Sequence, residues 1–231
     1  MKIAISSLPK NGWWNEGIKA YHDNDMMSDG AIPNQSLLKK EHEGLIKILN
    51  EHCLDTVSIP FNEGLEKNKK YDFVFMRDHF LCNTRKEIVM CNMKLFERMN
   101  EGKFTISFLE NLNYKISHLG EDCVAEGGEF FYLSKENILL AGQNRNNLKG
   151  AEQMAEKLNV SNLFIINSSG YHLDTSIAPL FNSEYDCIGI ICAKEVFNRN
   201  EFKNLKNICD KNHWDVICLL YTSPSPRDGN V

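Results

Sequence analysis

The sequence has no apolar run approaching the roughly 20 residues that a bilayer-spanning helix needs, so nothing in it reads as a membrane protein. The opening MKIAISSLPKNGWW has too short a hydrophobic stretch for a secretory leader. A basic excess is also missing. The 26 Lys and Arg stand against 31 Asp and Glu, a formal net charge of −5, whereas a general nucleic-acid binder carries a basic surface. No two of the eight cysteines form a CxxC pair, and with no leader they read as reduced thiols in a cytoplasmic protein. No GxGxxG follows a strand and no GxxxxGK[ST] occurs, so dinucleotide and P-loop readings have no support.

What is present is an ordinary globular composition over 231 residues, 42% hydrophobic and 25% charged. A chain of this length buries roughly 70–75% of its unfolded surface and needs no staple. Apolar periodicity predicts helices over 37–50, 94–111, 151–158 and 195–212. Strands are expected at 55–61, 87–93, 163–166, 175–180, 187–192 and 214–217, with a hairpin of 129–133 and 137–141. The result is α/β, but strands come in pairs between helices, unlike a plain doubly wound sheet.

Three segments read as apolar strands ending in an ionisable group: FMRDHF at Asp78, AEGGEFF at Glu126, and GYHLDTSIAPL at His172 and Asp174. The intervals are nearly equal, 126 − 78 = 48 and 172 − 126 = 46, as expected of repeated modules that each present one group to a shared centre. Each segment alone has a plainer reading. Arg77–Asp78 suits a surface ion pair, Glu126-Gly127-Gly128 suits a turn, and a lone histidine is commonly a satisfied core residue. Asp174 shifts the weight, because in an extended chain residues 172 and 174 face one side. A metal pair is a further reading, but third and fourth ligands at suitable spacing are missing. No metal and no cofactor are expected. Together the four groups make a carboxylate-rich site with one acid/base histidine, and paired aspartates suit the fork of a planar cation.

On these motifs the chain resembles the guanidino-group-modifying enzymes of the pentein fold: arginine deiminase, the amidinotransferases and dimethylarginine dimethylaminohydrolase. The resemblance is carried by the RD of FMRDHF, by EGG at 126–128, by HLDT at 172–175 and by LAGQNRNNLKGAEQMAEKL at 140–158, and it spans roughly residues 37–217. It implies a five-bladed α/β propeller of ββαβ-type modules. It further implies that Asp78 and Asp174 hold a guanidinium, that Glu126 orients substrate and histidine, and that His172 is the general acid/base. Arg145 matches the position that pairs with a substrate α-carboxylate. Arg98 is a weaker match for a second such arginine, its plainer reading being an exposed helix residue. The aspartate after HL is closer to the deiminase and amidinotransferase pattern than to some dimethylarginine hydrolases.

The family's chemistry implies attack by a cysteine thiolate on the guanidinium carbon, giving a covalent thiouronium. His172 would protonate the departing amine and later activate water or an incoming amine. The resemblance places that cysteine in the last module, farther from the histidine than the 231 − 172 = 59 residues that follow here. Cys187, Cys192 and Cys209 read as core thiols and Cys218 comes too early. The expectation is therefore a truncated catalytic domain over 1–217, inactive as written. Residues 218–231 would be a foreign tail, since CLLYTSPSPRD resembles a translated sequencing adapter. The expected partner is a small arginine-like guanidino compound, with no nucleic acid and no membrane and with the oligomeric state open. A non-catalytic pentein that binds a ligand through the same cavity, and a metal-dependent hydrolase using His172 and Asp174, are the competing readings.

Overall fold

In a computed structural model the described residues are 2–13, 32–52 and 55–219. Along them one supersecondary unit recurs: two antiparallel strands, a helix, and a third strand parallel to the second. The strands β3 (Phe80–Cys82), β4 (Glu87–Met90) and β5 (Lys115–His118) form one such sheet. The strands β6 (Phe130–Leu133), β7 (Ile138–Ala141) and β8 (Asn162–Ile165) form the next. A third comprises β9 (Ile177–Phe181), β10 (Cys187–Ala193) and β11 (Asp215–Leu219). The N-terminal sheet pairs β1 (Lys2–Ser6) with β2 (Asp55–Ile59) in parallel, joined through helix α1 (Gln35–Glu51), and the short helix α2 (Glu63–Lys67) follows β2. The sheets are mixed α/β and open. The second half of each unit is a parallel crossover, which is why a helix separates the central strand from the last one.

Local sequence explains the helices. In α4 (Leu148–Leu158) the Asn147 side chain accepts from the Gly150 N–H, and Asn159 closes the helix in the left-handed region at φ 57°. Ala151, Met154, Ala155 and Leu158 form its buried stripe, as the periodicity predicts. In α5 (Arg199–Asn212) Asn198 and Glu201 make a reciprocal capping box. The core lies between neighbouring units. Leu133, Leu140 and Ile166 meet Ile177, Ile190 and Leu205 in one cluster, and Val89, Leu139 and Met154 meet in another. No helix among the described residues is long and apolar enough to cross a membrane.

Three expectations are corrected. The apolar segment that leads into Asp78 is not a strand. It forms two 3-10 turns, Tyr71–Val74 and Met76–Asp78, ahead of β3. The expected helix over 94–111 is broken into 3-10 turns at Phe96–Arg98 and Glu101–Thr105 before the short helix α3 (Ile106–Asn111). Asn100 between them takes a left-handed φ of 68°. His172 and Asp174 do not share a strand face, because Leu173–Thr175 is a 3-10 turn with His172 extended just before it.

These corrections account for the near-constant spacing. Asp78 ends a turn two residues before β3, Glu126 precedes the turn Gly127–Glu129 that runs into β6, and His172 precedes the turn that leads to β9. Each module puts its ionisable group at the mouth of its first strand, where a short turn rather than a strand aims it inward.

Candidate active site

The three turns pack side by side, and glycine permits it. A Cβ on Gly127 would lie 1.8 Å from the Arg77 carbonyl oxygen. One on Gly128 would lie 2.8 Å from His172 Nδ1 and 2.9 Å from Asp78 Oδ1. The EGG motif is thus a close-approach device between backbone and neighbouring turns. The Gly128 N–H also donates to Asp78 Oδ1 at 3.1 Å, which fixes one face of that carboxylate.

His172 Nε2 donates to Glu126 Oε2 at 2.7 Å, an assignment made from the carboxylate partner. Glu126 Oε1 accepts from the Lys94 N–H at 2.8 Å. Both residues are buried. Burial opposes the charge on each, but the contact between them prevails. It holds the Glu126 carboxyl below its ordinary value, helped by the Lys94 N–H and Arg98, and raises the His172 imidazole above its own, with the charges of Asp78, Glu126 and Asp174 adding. The Tyr171 ring packs edge-on against the imidazole with centroids 4.8 Å apart.

Asp78, His172 and Asp174 share the wall of a cavity of about 780 Å³ with Asp72, Arg77 and Arg98. The same cavity is lined by Ile3 and Ile5 of β1 and, from α1, by Leu38, Leu45 and Leu49 together with Glu41 and His42. Glu126 stands behind His172. Arg145 lies behind Tyr171, buried, with its guanidinium carbon 4.2 Å over that ring. Both sequence-predicted aspartates hold arginines of the chain itself. Arg98 Nη1 donates to Asp78 Oδ2 at 2.8 Å, and Arg77 Nε donates to Asp174 Oδ2 at 2.8 Å. Arg77 and Asp78 therefore form no surface pair with each other. Burial raises the Asp174 carboxyl above its ordinary value, against the lowering effect of Arg77 and His172.

Arg98 is not the exposed helix residue of the plainer reading. It is 2% exposed, and its Nε faces Glu101 Oε2 at 3.2 Å and Asp72 Oδ2 at 3.8 Å. Three carboxylates around one guanidinium leave a surplus of negative charge. Burial accordingly pushes the Glu101 carboxyl up to about 7, despite the pull of Arg98. The fully buried His79 imidazole sits 3.4 Å from Glu101 Oε2 and is pushed down to about 3 by burial and by Arg98.

Two structural residues were missed in the sequence. Glu129 is fully buried and accepts from the Arg145 N–H at 2.5 Å and the Leu173 N–H at 2.9 Å, tying the QNR loop to the HLD turn. Asn146 Oδ1 accepts from the Glu126 N–H at 2.9 Å. The only signal for Glu129 was an acid inside the apolar run EFFYL. No cysteine lines the cavity among the described residues. Burial pushes the thiols of Cys187, Cys192 and Cys209 up to about 11, 12 and 12, away from the thiolate form.

A buried carboxylate–histidine pair thus stands beside two aspartates on a large cavity of a mixed α/β fold. The arginine deiminase family profile matches residues 71–213, and the chain belongs to that family. Among solved structures it is similar to the N-terminal domain of ArgZ, described as a cyanobacterial arginine dihydrolase, at 16% identity and TM-score 0.74 over 95% of this chain and 75% of that one. It is similar to dimethylarginine dimethylaminohydrolase from Pseudomonas aeruginosa, solved with citrulline, at 17% identity and TM-score 0.69 over 95% and 76%. It also resembles AgrE, solved unliganded, at 18% identity and TM-score 0.74 over 95% of this chain and 30% of that one. No curated protein sequence matches.

Proposed function

We propose that the site acts on the guanidinium group of arginine or an arginine derivative, as a hydrolase or amidinotransferase working through a cysteine thiouronium. The observation that carries this reading is the 2.7 Å His172–Glu126 contact beside Asp78 and Asp174 on one cavity. Asp78 and Asp174 orient the planar cation, and Arg145 answers a substrate carboxylate. His172, charged by its Glu126 partner, delivers a proton to the departing amine and then takes one from the incoming nucleophile. The thiolate comes from a cysteine outside the eight of this chain, so the 231-residue protein binds substrate without turning it over. Family membership supports this enzyme reading over a non-catalytic ligand-binding pentein.

A five-bladed arrangement belongs to the same proposal. Its support is the recurring unit: three complete sheets, and a first sheet whose β1 occupies the position that β4, β7 and β10 hold as central strands. Among the described residues β1 has no antiparallel neighbour, and such a strand would belong to the fifth module. The domain reading of 1–217 with a foreign segment 218–231 stays a proposal. Cys218 and Leu219 stand within β11, and residues 220–231 lie outside the described ones. A genomic sequence encoding the tail without adapter would refute its foreign origin.

Nuclear magnetic resonance titration of the His172 imidazole tests the site. A bound guanidinium adds positive charge beside it, so saturating L-arginine should lower its pKa by about one unit or more. An unchanged titration curve in the presence of L-arginine would overturn the reading.

A further inference from the structure

The carboxylate assigned to a substrate guanidinium already carries one. Arg77 Nε donates to Asp174 Oδ2 at 2.8 Å, its Nη2 donates to the Phe130 carbonyl at 2.8 Å, and its guanidinium carbon stands 4.9 Å over the Phe131 ring. The backbone beneath it is clamped by Gly127, so the side chain is the part able to move. The arginine side chain is 49% exposed and the aspartate 26%, and an ion pair with that much water contact contributes little. Only the Nε contact lies on Asp174. The Phe130 carbonyl and the Phe131 ring can keep the guanidinium after that contact breaks.

Building on the reading of Asp174 as a guanidinium subsite, we propose that Arg77 is a specificity-determining residue that competes, within the molecule, with the ligand's guanidinium for Asp174. A cationic guanidino ligand gains Asp174 only by releasing Arg77 towards Phe130 and Phe131. A neutral ureido ligand has no charge with which to displace it, so Arg77 weakens binding of the first kind and leaves the second untouched. The arginine thereby narrows the advantage that an acidic cavity gives to guanidinium compounds, and favours those whose remaining groups hold them in place.

The test is calorimetric binding of L-arginine and L-citrulline to the full 231-residue chain and to its R77A, R77Q and D174N variants, with thermal melts to show that each is folded. Both Arg77 variants should bind L-arginine about two- to fivefold more tightly and L-citrulline unchanged, while D174N weakens L-arginine alone. If D174N weakens L-arginine but the Arg77 variants bind it no better, the competition is refuted and the subsite reading survives. If D174N leaves L-arginine binding unchanged, or if no chain binds it, the subsite reading fails and the competition with it. A tightening of both ligands alike would show a general opening of the cavity and overturn the proposal. Should R77A not fold, R77Q decides by the same criteria.

Discussion

Replacing Glu126 by glutamine should lower the His172 pKa by about one to three units, because the imidazolium loses its adjacent carboxylate while burial continues to oppose its charge. The substitution preserves volume and can still accept from the Lys94 N–H, so the fold should survive. On the reaction proposed above, turnover by a catalytically competent form of the site should fall by about 10²- to 10⁴-fold, the usual contribution of a positioned acid/base group. The acidic limb of the pH–rate profile should stay where the other carboxylates put it, while the limb set by His172 moves to lower pH. A proton titration of His172 in E126Q and wild type checks the first part, and a pH–rate profile the second. An unmoved His172 pKa would mean that Asp78 and Asp174, not Glu126, set its charge.

Arg98→Met should be the most destabilising of the changes considered. The methionine fills similar volume but leaves Asp72, Asp78 and Glu101 facing one another in a buried space. Removing one partner of a buried ion pair typically costs about 3–5 kcal/mol, which for a chain of this size is a Tm decrease on the order of 10 °C. Arg98→Lys keeps the charge but not the fork, and should fall between the two. Thermal unfolding followed by circular dichroism measures the series. A methionine variant as stable as wild type would show that the three carboxylates simply take up protons in place of the cation.

How much of this was readable in the sequence follows how local each signal is. The helix α4 was legible because its stripe of Ala151, Met154, Ala155 and Leu158 lies within eight consecutive residues. The β6–β7 hairpin was legible for the same reason. The repeat of ionisable groups was visible, yet its cause was not. Apolar residues around Asp78 suggested a strand, and only packing of Gly127 against the Arg77 carbonyl shows why the chain turns there instead. Arg98 was misjudged because nothing near it in sequence announces three carboxylates, two of which arrive from residues 72 and 78. Arg77 and Asp174 are 97 residues apart, and their pairing is equally invisible to periodicity. Local propensity recovers the elements, whereas a charge network is a property of the assembled modules.

The buried His79–Glu101 pair has a consequence for how the protein meets acid. A carboxyl raised to about 7 stabilises the fold below its unfolded value of 4.5 and loses that contribution as pH rises through 7. An imidazole lowered to about 3 does the reverse: its contribution is whole above 6.5 and vanishes as pH falls through 3. Between 4.5 and 6.5 the folded pair carries one proton, on Glu101, and the unfolded pair also carries one, on the histidine. Folding then merely relocates a proton without taking one up or releasing one. Over that interval the pair itself adds no pH dependence to the stability of the fold, and H79Q or E101Q alone would introduce one.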